Sequence, residues 1–175
     1  MTRPRVPLPN DANLPADVRE VLATLPPLNV FRMMANVPAS FRPWMDLAMS
    51  ILFGSDFDTR KREIAVLRTA HVTRSVYEWT QHVAVGKQAG LSDTEIAAIA
   101  ADGPVTGLDA EGNLLCRVAD EISHDIRLSD DALAQLLERY GVRRTSELIF
   151  CVSYFNMLSR FLESTRVELE SPPML

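Results

Sequence analysis

Apolar positions recur at helical spacing along nearly the whole chain. Leu114, Leu115, Val118 and Ile122 form one stripe, predicting a helix from about Asp109 to Ser123. Leu133, Leu136, Leu137 and Tyr140 form another, opened by Ser129 and closed by Gly141. From Thr145 to about Thr165 the pattern predicts the longest helix, apolar on most faces from Leu148 to Leu162, hence central or at a subunit contact. Upstream, Pro15 opens a helix that Pro26-Pro27 ends, Leu28 to Asn36 forms the next, and Pro38 starts one that runs to Phe53, with Pro43 tolerated or bending it. Asp58 or Thr59 caps a helix carrying Ile64 and Leu67 to about Val72. Ser75 caps the following one, which runs to Ala89 and stops at Gly90 in a left-handed turn. Ser92-Asp-Thr-Glu95 is a capping box for a helix through about Ala101. No stretch alternates strictly between turn dipeptides, so no sheet is predicted. The reading is all-α, with about eight or nine helices. Residues 1–14, with Pro4, Pro7 and Pro9, form an extended arm, and residues 15–175 a single domain.

Composition adds limits. With 175 residues and 47% apolar content the chain can build a proper core. A net charge of −5 argues against a general attraction to nucleic acid. The longest nearly apolar run, from Leu148, is broken by Ser153 and Asn156 and falls short of the roughly 18 residues of a membrane span. The first residues carry no apolar core of a secretory signal. Cys116 and Cys151 are two isolated cysteines rather than a disulfide framework. A soluble, cytoplasmic protein is expected, with neither nucleic acid nor membrane as partner.

Candidate chemistry concentrates on one short stretch. Glu78 and His82 stand at i, i+4 spacing, which puts a carboxylate and an imidazole on one helix face, next to bulky Tyr77 and Trp79. Such a pair, shielded from water, can move protons. Two readings of Glu78 stay open: an acid or base whose pKa rises by burial, or the fourth residue of a Ser75-x-x-Glu78 capping box. His82 is either a locally satisfied core histidine or the partner of that carboxylate. Glu63 lies on the preceding helix with Leu67 and His71 at i+4 and i+8. It is surface charge beside Lys61 and Arg62, unless the two helices pack antiparallel and bring it to His82. His71 could join them, or serve as a helix-dipole partner; His124 reads as exposed. Arg68 and Arg74 are arginines of a type that grips carboxylates, yet nothing in the pattern separates them from surface charge. Glu63, Glu78 and His82 could offer three metal ligands, but no His-x-x-x-His or Glu-x-x-His pair accompanies them, and no metal is expected. No glycine-rich cofactor or phosphate loop is present, so no cofactor is expected either.

Glu63, then Ser75-Val-Tyr-Glu78, then His82, followed by Gly90-Leu-Ser-Asp-Thr-Glu-Ile96, resembles the carboxymuconolactone decarboxylase family, which includes alkyl hydroperoxidase AhpD. The likeness covers roughly residues 40–165 in helix order, with its sharp motif in 63–96. AhpD-type members carry a glutamate, then a Cys-x-x-Cys pair at a helix start, then a histidine four residues past the second cysteine. Here Glu63 and His82 match that glutamate and histidine, Ser75 and Glu78 take the cysteine positions, and Tyr77 replaces a histidine between them. The Tyr-Glu-Trp-x-x-His string is similar to a cysteine-free branch. The resemblance implies an AhpD-like helical bundle, assembled as a homo-oligomer (dimer, trimer or hexamer) with pockets near subunit contacts.

The departure from Cys-x-x-Cys argues against thiol peroxidase chemistry, which needs an attacking thiolate and a resolving cysteine. The expectation is a cofactor-independent lyase, decarboxylase or isomerase acting on a small organic acid, lactone or carbonyl compound. In it Glu78 and His82 exchange the proton, Glu63 orients the imidazole, and Tyr77 donates to a developing enolate oxygen, with Ser75 and His71 contacting substrate. The alternatives are a non-catalytic ligand-binding or structural oligomer on the same fold, and a residual AhpD-like peroxidase.

Overall fold

A computed structural model describes residues 5–170, which form eight α-helices and one short 3-10 turn, with no strand among them. In chain order the helices are α1 (Ala16–Leu22), α2 (Asn29–Met34), α3 (Pro38–Phe53), α4 (Thr59–Val72), α5 (Val76–Gln88), α6 (Asp93–Ile99), α7 (Ala110–Asp125) and α8 (Asp130–Thr165). The apolar periodicity thus lands as helices, and α8 accounts for two predicted ones. It is interrupted at Gly141, whose φ of 71° and ψ of 176° belong to a backbone region that only glycine enters freely. No helix of the described residues is long and apolar enough to cross a membrane.

Two compact units emerge, one built from the described residues up to Gly54 together with those from Phe161, the other from Ser55–Arg160. In the first, Val18, Val30, Met33, Phe41, Trp44, Met45 and Ile51 are buried. The proline-rich arm is tied down through backbone groups that prolines and their neighbours leave free. The Val6 amide donates to the Thr165 carbonyl at 3.1 Å, and the Pro7 carbonyl accepts from Asn36 Nδ2 at 3.0 Å. The end of the arm departs from an extended course. Asp11–Asn13 makes a 3-10 turn because the Asn10 side chain accepts from the Ala12 amide at 3.0 Å. Residues 1–4 of the predicted arm and 171–175 of the predicted domain lie outside the described residues. Helix α3 runs through Pro43 without a break.

The second unit is organised on α4. Every residue from Arg62 to Ala70 is buried, charged ones included. The sequence pattern predicts the last helix, the most apolar, to be central or at a subunit contact; α8 leaves Phe150 and Met157 exposed. Helix α4 tolerates enclosure because its charges find partners inside, as described below. Asp58 caps it by accepting from the Lys61 amide, and a three-residue turn then reverses the chain. Arg74 closes this turn at φ 57°, a left-handed conformation unusual outside glycine, and the Ser75 amide returns to the Ala70 carbonyl at 2.9 Å. Helices α4 and α5 therefore form a tight antiparallel hairpin. Gly86 lets them approach closely: a Cβ there would stand 3.2 Å from Leu67 Cδ1 and 3.0 Å from Leu91 Cδ1. The core beneath is made by Leu67, Leu91, Ile99, Leu115, Val118, Leu136, Leu148 and Val152, among others.

Candidate active site

The hairpin sets Glu63 of α4 against His82 of α5. Glu63 is fully enclosed, and its Oε2 lies 2.7 Å from His82 Nδ1 while its Oε1 accepts from Arg62 Nε at 3.2 Å. The other ring nitrogen, Nε2, is 3.5 Å from Glu78 Oε2, one turn back along α5; this is an electrostatic contact longer than a good hydrogen bond. The imidazole is thus held between two carboxyl groups. Phe155 of α8 presses against the ring edge-on, with centroids 4.9 Å apart and planes at 87°. His82 keeps 13% of its side chain exposed, against 0% for Glu63 and 5% for Glu78, so the imidazole is the triad's opening to solvent.

The environment separates the three groups electrically. Burial pushes the Glu63 carboxyl up, but the His82 ring and the Arg62 guanidinium outweigh it and hold the group below the ordinary glutamate value. For His82, burial opposes the charge, and the Glu63 carboxylate, by its charge and hydrogen bond, together with Glu78, lifts the pKa above the ordinary histidine value. Glu78 has no comparable cation. Burial drives its carboxyl up, the His82 ring draws it back in part, the Glu63 charge adds to the rise, and the result is about 7. Near neutral pH the arrangement contains a carboxylate, a ring whose charged form the neighbouring carboxylate favours, and a carboxyl group close to its midpoint. That combination can give and take a proton within one cluster.

The capping-box reading of Glu78 is overturned. Ser75 stands at the N-cap of α5, but its hydroxyl makes no capping bond and is buried without a hydrogen-bond partner, while its own amide is taken by Ala70. Glu78 is buried, and its carboxyl lies toward the imidazole Nε2 rather than the Ser75 amide. Tyr77 is buried next to Glu78 in sequence. His71 lies elsewhere. Eight residues beyond Glu63 on α4, it packs edge-on against Trp79 at 5.9 Å and lines a cavity of about 400 Å³ with Arg68, Arg74 and His124. Arg68 is not a surface charge but a buried clamp. Its guanidinium donates to Asp120 at 2.6 and 3.0 Å and to the carbonyls of Ile99, Ala101 and Gly103 at 2.9, 2.7 and 2.6 Å. His124 is exposed.

Sequence reasoning passed over Arg62, Phe155 and Gly86. Gly86 alone left a signal, since a glycine inside a helix, one turn after His82, costs about 1 kcal/mol unless close packing requires it. Burial pushes the thiols of Cys116 and Cys151 up to about 12 each, so both are inert thiols at neutral pH. Among the described residues no group of three or more His, Cys, Asp or Glu side chains is arranged to hold a metal ion.

A helical bundle whose central hairpin buries a carboxylate–imidazole–carboxyl cluster belongs to the AhpD-like class of folds. Residues 38–121 match the carboxymuconolactone decarboxylase family, a span that contains α3 to α6 and the whole triad. Two solved structures share the fold over nearly their whole lengths. One, titled as an alkylhydroperoxidase AhpD core, is an uncharacterized peroxidase-related protein from Ralstonia eutropha JMP134, with a TM-score of 0.81, 16% identity, and coverage of 98% of this chain and 95% of the other. The second, an uncharacterized peroxidase-related protein from Silicibacter sp. TM1040, has a TM-score of 0.76 and 17% identity, covering 96% and 94%. At such identities they show the fold alone. No curated protein matches the sequence significantly.

Proposed function

We propose that this protein is a cofactor-independent acid–base enzyme that acts on a small organic acid, lactone or carbonyl compound by proton transfer next to a carbonyl group. The observation carrying this reading is the imidazole of His82 held between Glu63 at 2.7 Å and Glu78 at 3.5 Å in a largely buried setting. Glu63 fixes the ring through Nδ1 and keeps it protonated. Glu78, ionising at about 7, takes the proton from carbon, and the imidazolium stabilises the oxygen on which the negative charge develops. Tyr77 and Ser75, both buried at the start of α5, are proposed to assist in holding that oxygen. A peroxidase is disfavoured, because Ser75 and Glu78 stand where the redox pair would be and the two thiols ionise far above neutral pH.

The proposal extends to surroundings. A homo-oligomer is favoured by the exposed Phe150 and Met157 of α8. A cytoplasmic location fits two unpaired, buried cysteines. The test is deuterium exchange from heavy water into a panel of small carbonyl compounds, lactones and organic acids, followed by NMR. Wild type accelerates exchange into at least one compound, and His82→Ala and Glu78→Gln each lose about 100-fold while remaining folded. Equal exchange by both variants would refute the assignment and leave a non-catalytic binding protein as the better reading.

A further inference from the structure

The connection between α1 and α2 encloses a cavity that proton transfer at the triad leaves unused. Pro26 and Pro27 fix φ at two successive positions, and the Leu28 amide folds back to the Pro26 carbonyl at 2.7 Å, so the turn is stiff. Between this turn and the two helices lies a space of about 170 Å³. Its wall is apolar, made by Leu22, Pro26, Pro27, Leu28 and Phe31. The Phe31 ring is itself backed by Trp44, with centroids 6.2 Å apart. Arg19 of α1 and Arg32 of α2 line the same space, with Asp11 of the arm as their counter-charge. All of these residues belong to the first compact unit.

The two guanidiniums are held in place without being used up. Arg19 donates Nη1 to the Leu14 carbonyl at 3.0 Å, and among the described residues no carboxylate pairs with it. Arg32 donates Nη2 to the Pro9 carbonyl at 3.0 Å and to Asp11 Oδ1 at 2.8 Å, while its Nε is buried without a hydrogen-bond partner. A charged donor enclosed without an acceptor is costly, and a further anion beside the guanidinium offsets that cost through its charge. Two arginines against Asp11 leave one positive charge in excess at the cavity.

We infer that this cavity binds a small monocarboxylate carrying one ring or a short branched chain. The carboxylate meets Arg19 and the open side of Arg32, because guanidinium matches carboxylate geometry, and the apolar part lies on Leu28 and Phe31. One excess charge calls for one carboxylate. A volume of about 170 Å³ is below the roughly 300 Å³ at which pockets for drug-sized ligands begin, which restricts the guest to about one ring. Inorganic phosphate would satisfy the arginines and leave the apolar wall wet; a neutral ring would cover the wall and leave the charge unmet. Glu63, Glu78 and His82 are not among the lining residues, so the site is read by binding, without any measure of catalysis.

The experiment titrates benzoate and 3-methylbutanoate into the ¹⁵N-labelled full chain at pH 7, following the backbone amides of Leu28 and Phe31, with benzamide and inorganic phosphate as matched probes. At least one of the two acids should shift these amides saturably with a Kd of about 1 mM or tighter. Benzamide and phosphate should each need a concentration at least about tenfold higher. Arg19→Gln should weaken the acid about tenfold, whereas Arg42→Gln, at an exposed arginine paired with Asp17 outside the cavity, should leave it unchanged. Circular dichroism checks that both variants are folded; should Arg19→Gln lose its fold, the comparison with benzamide on wild type decides. Benzamide binding as tightly as benzoate would reduce the site to an apolar hollow, and phosphate binding as tightly as the acids would reduce it to general attraction by charge. Either result overturns the inference, as does the lack of a saturable shift with both acids, or equal weakening by the two arginine substitutions.

Discussion

Replacing Glu78 with glutamine removes a titrating group from the interior and keeps its size. In the folded protein this carboxyl ionises at about 7, whereas an ordinary glutamate does so at 4.5. The folded state therefore retains a proton that the unfolded chain releases above about pH 4.5. By linkage, the contribution of Glu78 to stability is fully present below about pH 4.5 and is lost as the pH rises to about 7. The difference of roughly 2.5 pH units corresponds to about 3 kcal/mol, an upper figure because the interior can relax around the charge. Glutamine has no such dependence. The stability difference between Glu78→Gln and wild type should thus move by up to about 3 kcal/mol in favour of the variant between pH 4.5 and pH 8, whatever the fixed effect of the amide. For a chain of this size that is a relative rise in Tm of roughly 6–12 °C. Urea unfolding of both proteins at a series of pH values, followed by circular dichroism, measures it. Parallel pH profiles for the two proteins would refute the claim that burial holds Glu78 in its protonated form. A variant more stable yet inactive is what a group retained for chemistry should give.

Other substitutions probe the surroundings. Glu63→Gln leaves the Arg62 guanidinium in the interior without its carboxylate and should cost roughly 3–5 kcal/mol by chemical unfolding; the His82 ring, without the charge that raises its pKa, should titrate at lower pH by ¹⁵N NMR. Unchanged stability would mean that Arg62 has an adequate partner elsewhere. Gly141→Ala meets no atom within 4 Å, so its loss, about 1–3 kcal/mol, should come from the backbone conformation alone, read as a shift in the urea midpoint at constant slope. Substituting Cys116 and Cys151 together by serine should leave proton exchange by the folded protein unchanged, and a loss of exchange proportional to neither stability nor folded fraction would bring sulfur back into the chemistry.

Much of the fold is written in short-range signals. The capping residues Asp58, Ser92 and Asp109 and the glycines Gly90 and Gly141 mark helix ends that local chemistry decides, and the structure uses each of them. What local pattern could not reveal is which helix lies innermost. The burial of α4 is not visible locally, because its Glu63–His82 and Arg68–Asp120 pairings depend on residues whose proximity only tertiary packing creates. The site shows the same division. Glu78 and His82 share a face by helical spacing alone, and Glu63 depends on the α4–α5 hairpin that Gly86 lets close. The Ser75 hydroxyl, by contrast, has the right spacing for a capping box and makes none, since the Glu78 carboxyl is drawn to the imidazole instead. His71 was separable from the cluster only through geometry: two turns along α4 carry it away from His82 to the side of Trp79.

The most direct measurement is the titration of the Glu78 side-chain carboxyl by ¹³C NMR in protein labelled at glutamate, with Glu78→Gln identifying the signal. A midpoint near 7, coupled to a change in the His82 ring nitrogens, is the result that acid–base chemistry in this cluster requires. A midpoint at the ordinary value of 4.5, with the ring signals unaffected, would contradict it.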